Sequence, residues 1–235
     1  MKNVIAYSLW GNNPIYWVGA RRNIELVNEY LPGWICRFYI DKTCSTDLIN
    51  TIKGENVEVI LMGNDVYNYS NLSERFNHSG LFWRFLPLSD DNVNILISRD
   101  CDSRISQREV NAINEWISSD KDFHIMRDHP YHQVPILSGM WGARNKILKN
   151  INELLKDWSQ YENKGVFHAE DQDFLGQIVY PIVRNNSMEH SEFNISYGND
   201  IRPFPTIRNN YEFVGDVFDE NDIRHPDYWK IIENI

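Results

Sequence analysis

Val93-Asn94-Ile95-Leu96-Ile97-Ser98 runs straight into Arg99-Asp100-Cys101-Asp102-Ser103-Arg104. The first six residues form a short apolar run of the kind that fills a buried central strand, and charge follows at once. Beyond it, Ser106-Gln107-Arg108-Glu109 has the form of a capping box, and Val110, Ile113 and Ile117 then make one apolar stripe at helical spacing. A strand that ends in acids and hands over to a capped helix is half of a strand-crossover-strand unit. In open α/β sheets, ligands bind at this carboxyl end of the strands.

Upstream the alternation is repeated. Val4 to Ser8 reads as a strand, and after the turn signal Gly11-Asn12-Asn13-Pro14 the residues Ala20, Ile24, Val27 and Leu31 recur at helical spacing. Pro32-Gly33 stops that helix, Ile35 to Ile40 is a second strand ending at Asp41, Thr46 to Lys53 a short helix and Val57 to Met62 a third strand. Asn64 to Ser79 is polar and aperiodic and reads as a loop, and Leu81-Phe82-Trp83-Arg84-Phe85-Leu86 as the end of a helix. Downstream, Phe123 to Arg127 and Pro135 to Leu137 read as strands. Ile151, Leu154, Leu155 and Trp158 mark a helix, and Asp171 to Val179 a shorter one ended by Pro181. The pattern beyond Asn185 is irregular. The expected class is α/β: one domain over 1–235, with a central, mostly parallel mixed sheet flanked by helices.

Composition narrows the function. Lys plus Arg number 23 against 33 Asp plus Glu, a net charge of −10, which excludes a general binder of nucleic-acid backbone. An anionic small ligand is still compatible if basic residues or a divalent cation sit at its site. Cys36, Cys44 and Cys101 form neither an even set nor a zinc spacing, and no His-x-x-x-His or His-Glu-x-x-His pattern occurs. No apolar run approaches the ~18 residues of a membrane span. The Asn-x-Ser sequons at Asn68, Asn71, Asn77, Asn185 and Asn194 follow from an Asn- and Ser-rich composition. The expectation is a soluble, cytoplasmic protein; oligomeric state is not legible.

On extended chain, residues i and i+2 point the same way, so Asp100 and Asp102 present two carboxylates to one spot. At ~5 Å and an effective dielectric of ~20 they repel by roughly 3 kcal/mol, a cost that a divalent cation between them removes. Hard oxygen ligands suit Mn²⁺ or Mg²⁺. The competing explanation is a pair of turn-capping acids. Glu170-Asp171-Gln172-Asp173 is a second acidic cluster at a helix start, where the macrodipole accounts for one or two acids; Asp171 or Asp173 is a candidate base or acceptor-hydroxyl holder. Met126-Arg127-Asp128-His129-Pro130-Tyr131-His132 is dense in polar groups. After it, Ser138-Gly139-Met140-Trp141-Gly142 lets backbone approach a ligand, with Trp141 either a platform for a sugar face or core.

Two enzymes fit the acidic pair. A haloacid-dehalogenase-like phosphohydrolase uses the first acid, Asp100, as nucleophile and Asp102 as general acid, with Ser138, Lys149 or Lys164, and Gly215-Asp216-Val217-Phe218-Asp219 supplying its other parts. That reading leaves the first 99 residues without a task. A nucleotide-sugar-dependent transferase employs nearly every segment.

The chain also resembles the metal-dependent glycosyltransferases of GT-A fold found in bacteria and in the chloroviruses, large DNA viruses of algae. The resemblance rests on Ser8-Leu9-Trp10-Gly11, Trp34 to Asp41, Phe82 to Leu86, Arg99 to Arg104, Met126 to Pro130 and Asp171-Gln172-Asp173-Phe174-Leu175. It implies a nucleotide-sugar-binding half, 1–104, and an acceptor-side half, 105–235. Asp100 and Asp102 become the D-x-D pair, Asp102 chiefly a metal ligand and Asp100 shared between metal and ribose. Ser8, Leu9 and Trp10 border base and ribose, and Arg84 reaches the diphosphate or donor sugar. Asp171, Gln172 and Asp173 contact donor and acceptor sugars. Asp128 joins Asp171 and Asp173 as a candidate catalytic carboxylate, and Ser138, Gly139 and Trp141 are candidates to bind the nucleotide sugar. Such folds take a third metal ligand from a late histidine, His190 or in its place His225. The implied activity is retaining transfer from a UDP-sugar to a glycan hydroxyl.

Overall fold

The computed structural model describes residues 1–63, 79–160 and 170–235. The loop expected at Asn64 to Ser79 falls almost entirely outside them, as do Asn68, Asn71, Asn77 and Lys164. Among the described residues eight strands form one sheet: β1 (Lys2–Leu9), β2 (Ile35–Asp41), β3 (Val57–Met62), β4 (Val93–Arg99), β5 (Phe123–Arg127), β6 (Met140–Arg144), β7 (Ser187–Ser191) and β8 (Ile201–Arg202). Their order is β3-β2-β1-β4-β6-β5-β7-β8, and every pairing is parallel except those of β6 with β4 and β5. The mostly parallel mixed sheet is therefore as expected, and it runs through both halves of the chain.

Period-two alternation decides what each face buries. Val4, Ala6 and Leu96 point to one side, while Ile5, Tyr7, Ile95 and Ile97 point to the other. Both faces are apolar because both are covered, as parallel sheets require. On the second side lie α1 (Pro14–Tyr30) and α3 (Gln107–Ile117); α2 (Thr46–Asn50) is a single turn between β2 and β3. On the first side lie a 3₁₀ stretch (Ser79–Ser89), α4 (Ile151–Ser159) and α5 (Glu170–Phe174). α1 starts where Asn13 Oδ1 accepts the Ile15 N–H, with Pro14 as first helical residue.

Five expectations need correction. Pro135 to Leu137 is not a strand: the carbonyls of Val134 and Pro135 accept from the buried Arg127 guanidinium, and the strand is Met140–Arg144. Phe82 to Leu86 lies inside a 3₁₀ stretch that contains Pro87. The helix from Thr46 ends at Asn50. Pro181 does not end its helix, since a π-turn (Leu175–Val179) precedes it and the ring occupies the first turn of α6 (Tyr180–Val183), where no N–H is needed. Beyond Asn185 the chain still adds β7, β8 and α7 (Pro226–Glu233).

Candidate functional site

β1 and β4 are parallel neighbours at the centre of the sheet, so their carboxyl ends open on the same crevice. Ser8 and Leu9 end β1, and Trp10 follows. Asp100, Cys101 and Asp102 follow β4. With Tyr16 of α1 and Leu81 and Arg84 of the 3₁₀ stretch, these residues line a cleft of about 540 Å³, part of it open solvent. Five of the residues expected at a donor site, Ser8, Leu9, Trp10, Arg84 and Asp100, are thus gathered with Asp102.

Arg84 is the hub. Its backbone N–H donates to Ser8 Oγ at 3.2 Å, Nη1 donates to Asp100 Oδ1 and to the Arg99 carbonyl, and Nη2 donates to Asp171 Oδ2 at 2.9 Å. The guanidinium is buried, as is Asp171, so the acidic cluster, through Asp171, and the acidic pair, through Asp100, are tied by one cation. Its Nε has no partner among the described residues.

Burial, and next the charge of Asp100, push Asp102 up to about 6. Tyr16 is also raised, by burial and then by Asp102 and Asp100. Asp100, Asp102 and Asp171 set three carboxylates against the one guanidinium of Arg84, while nearby Arg104 is already paired with Asp222. The site therefore carries a surplus of two negative charges, which suits a divalent cation. Among the described residues no group of three or more His, Cys, Asp or Glu side chains is placed to hold a metal. A two-carboxylate donor set fits an ion of the Mg²⁺ type, which keeps waters and takes substrate phosphate oxygens as its other ligands.

The acidic loop is held by residues that the sequence reading passed over. Asn23, buried on α1, donates to the Ser103 carbonyl at 2.8 Å and accepts from the Ile105 N–H at 3.1 Å. Arg104 Nη1 donates to the carbonyls of Cys101 and Ser103, and the Phe218 N–H donates to the Asp102 carbonyl. A Cβ on Gly19 would stand 1.7 Å from the Cys101 carbonyl oxygen, so α1 approaches the loop only because it carries glycine there. Ser106 caps α3 as expected, but the Glu109 carboxylate turns to the buried Arg99 instead of closing the capping box.

The remaining expected residues divide. Gly139 abuts the site, since its ideal Cβ position lies 1.9 Å from Asp100 Oδ2: what the glycine admits is a carboxylate of the chain itself. The Ser138 carbonyl accepts from Ser98 Oγ at 2.7 Å, and Gln172 and Asp173 sit half-buried on the first turn of α5. Trp141 is not a sugar platform. It is fully buried, stacked on Phe123 with centroids 5.2 Å apart.

Asp128 is not free for catalysis in this arrangement. Also fully buried, it receives Arg108 on both oxygens, Arg208 at 2.6 Å and the Val214 N–H at 2.9 Å. His190 is buried in β7, 2.7 Å from His124 Nε2 and 3.3 Å from Glu115, away from the lining of the cleft. His225 is on the segment whose Val217 pairs with Ser103, half-exposed, its ring nitrogen 3.9 Å from Asp227. Neither histidine completes a three-residue set with the acidic pair. The phosphohydrolase parts are likewise not assembled: Lys149 pairs with exposed Asp91, and Asp216 with Arg224.

No protein-family model matches the chain, and no curated protein matches it in sequence. Solved structures match in fold. A glycosyltransferase involved in the glycosylation of the major capsid of PBCV-1 superposes with a TM-score of 0.50 at 12% identity, covering 81% of this chain and 82% of its own. The galactosyltransferase LgtC, solved in complex with donor and acceptor sugar analogues, gives 0.52 at 16% identity over 80% and 73%. An active-site mutant of LgtC, Q189E, gives 0.51 at 14% over 80% and 72%. Among the described residues no helix is long and apolar enough to cross a membrane. The chain has the fold of these GT-A glycosyltransferases.

Proposed function

We propose that the chain is a glycosyltransferase that moves a hexose or deoxyhexose from a UDP-linked donor to a glycan hydroxyl, with retention of configuration. The observation that carries this reading is the cleft at the carboxyl ends of β1 and β4. It pairs Asp100 with Asp102 and leaves two negative charges unbalanced, in a fold shared with glycosyltransferases.

Ser8, Leu9 and Trp10 border the base and ribose, with Trp10 exposed enough to stack. Asp100 is shared between ribose and cation, and Asp102 is a cation ligand. A bound Mn²⁺ or Mg²⁺ supplies Lewis-acid stabilisation of the charge that develops on the departing diphosphate. Arg84, which lines the cleft, lends its positive charge to that diphosphate or to the donor sugar while its two terminal nitrogens keep Asp100 and Asp171 in place. Transfer breaks the bond between the anomeric carbon and the diphosphate oxygen and forms one to the acceptor oxygen. The acceptor proton passes to Asp173, the half-buried candidate base, since Asp171 is buried and held by Arg84. No observation favours the phosphohydrolase.

Thermal melting with UDP and Mn²⁺ tests the reading. Ligand at 100 times its dissociation constant adds ~2.7 kcal/mol, a resolvable shift. The expected result is stabilisation that needs both components and disappears in Asp102→Ala. A panel of nucleotide sugars scored in the same way, with donor hydrolysis followed in the same samples, identifies the donor. Release of phosphate from an aryl phosphate without any UDP response would overturn it.

A further inference from the structure

α1 turns one face to the acidic loop, and two residues of that face, Gly19 and Asn23, are poor helix formers. Tyr16, Gly19 and Asn23 follow one another at spacings of three and four, so they share a side of the helix. Tyr16 lines the donor cleft. Gly19 admits the Cys101 carbonyl oxygen so closely that a Cβ would stand 1.7 Å from it. Asn23 is buried in the helix interior, where a side-chain amide must find hydrogen-bond partners. Both of its partners are on the loop.

Four successive carbonyls of the loop each accept a hydrogen bond: Asp100 from Ser103 Oγ at 3.0 Å, Cys101 from Arg104 Nη1 at 3.1 Å, Asp102 from the Phe218 N–H at 2.9 Å and Ser103 from Asn23 Nδ2 at 2.8 Å. Ser103 and Arg104 belong to the loop itself, so the ties that fasten these carbonyls to the rest of the fold run through Asn23 and Phe218. Asn23 Oδ1 also accepts the Ile105 N–H at 3.1 Å, one residue before Ser106 caps α3. One amide therefore fixes the two peptide groups that flank Arg104. With the carbonyls engaged, what Asp100 and Asp102 bring to the cleft is their carboxylates.

We propose that Asn23 is a positioning residue for the cation site: by clamping the peptide groups on either side of Arg104, it holds the loop so that the carboxylates of Asp100 and Asp102 grip one ion. An ion that has to order its own ligands binds more weakly by the cost of that ordering, so a loop fastened beforehand raises cation affinity. Leucine at position 23 would favour the helix and fill a similar volume. What it lacks is the pair of hydrogen bonds to the loop. The link to a cation rests on the glycosyltransferase reading; the fastening of the loop does not.

Two measurements on Asn23→Ala and Asn23→Leu test this. Calorimetric titration of UDP at graded Mn²⁺ gives the cation concentration that half-saturates binding, which should rise tenfold or more in both variants. Amide hydrogen exchange follows the loop without any ligand. The Phe218 amide, bonded to the Asp102 carbonyl, should exchange at least tenfold faster in the variants relative to the amides of β4. Leu155→Ala, a core substitution on α4 across the sheet, should lower stability yet leave the half-saturating Mn²⁺ and that exchange ratio at parent values, which separates positioning from general loss of stability. If the Phe218 amide quickens while the parent ignores UDP and Mn²⁺, the glycosyltransferase reading fails and Asn23 stands as the anchor of the acidic loop. Should the parent and variants take Mn²⁺ alike, or should Asn23→Leu match the parent in exchange, the proposal is overturned. Where neither variant folds, Asn23→Ser, which keeps one of the two hydrogen bonds, should shift both measurements in the same direction by less, and parent values there overturn it equally.

Discussion

Arg84 joins Asp100 to Asp171: one terminal nitrogen donates to each carboxylate, and the Asp171 contact is 2.9 Å. Asp100 is half-exposed and Asp171 is buried, so the two ends of the guanidinium differ in what they protect. Removing Arg84 leaves a buried carboxylate unpaired.

Arg84→Ala should therefore lower stability by about 3–5 kcal/mol, and Arg84→Lys should not restore it, because one ammonium cannot span both acids. Asp171→Ala alone should cost less, and the double variant less than the sum of the singles. Urea unfolding of the four proteins measures the coupling. Additive losses would show that the contact does not matter energetically.

Asp102 titrates against its own site. Burial and Asp100 raise it to about 6, so in the metal-free chain it contributes stability while protonated and loses that contribution as pH rises from about 4 to 6. A cation needs the ionised form. Stabilisation by UDP with Mn²⁺ should thus grow steeply between pH 5 and pH 7. In Asp100→Asn the repelling neighbour is gone, and the metal-free chain should lose less stability on going from pH 5 to pH 7. A flat metal response over that range would contradict the assignment.

Gly139→Ala is a local probe of the same pair. The new methyl group falls 1.9 Å from Asp100 Oδ2 and 3.1 Å from its backbone nitrogen, so the half-exposed carboxylate must swing away. Stability should change by about 1 kcal/mol or less, because the displaced group reaches solvent. The UDP and Mn²⁺ response should fall tenfold or more. Large unfolding with the response intact would mean that Asp100 is not a ligand.

The parts of this molecule legible from sequence are those where local pattern and burial agree. β1 to β5 carry apolar runs, α1 and α3 carry capped stripes, and the acidic pair sits where a strand ends, so their places follow from periodicity and chain direction. β6 is hidden because Met140-Trp141-Gly142-Ala143-Arg144 has no β-branched residue, and Gly142 with the preceding Gly139 suggests ligand contact where the structure has sheet. β7 was hidden for the opposite reason. Its polar Glu189 and His190 are fully buried, satisfied by Arg127, Tyr180 and His124, partners distant in sequence. Asp128 and Asp171 look alike in sequence and are both buried, and only the arginines that reach them tell an anchor of the 204–214 segment from a carboxylate tied through Arg84 to the cleft.

Asp128 accordingly predicts a structural phenotype. It gathers Arg108 and Arg208 and the Val214 N–H, pinning the 204–214 segment to β5 and α3. Asp128→Ala should cost about 3–5 kcal/mol in urea unfolding, since two cations lose their shared anion in a buried place. Sugar transfer per folded molecule should remain within about threefold of the parent, on the scale of 1.4 kcal/mol per factor of ten. A tenfold loss of transfer in protein that is fully folded would return Asp128 to the chemistry.

His132 extends that centre and gives it a pH dependence. Its Nδ1 accepts the Asp128 N–H at 3.0 Å, so the folded state needs the neutral ring. Burial, then His129, Arg127 and Arg208, push His132 down to about 3. The unfolded ring takes a proton near pH 6.5, so its contribution to stability is complete above that value and is lost as pH falls toward 3. His124 and His190 are lowered as well, chiefly by burial, and act in the same direction. Asp102 and Asp216, both raised to about 6, oppose them by favouring the folded state as pH falls from 6 to 4. The net curve therefore mixes both signs, and the difference between variants isolates the ring. His132→Gln keeps a side-chain acceptor without a titrating group, so its urea midpoint should fall less than the parent's between pH 6.5 and pH 4. Midpoints that drop in parallel would mean that His132 is protonated alike in the folded and unfolded chain.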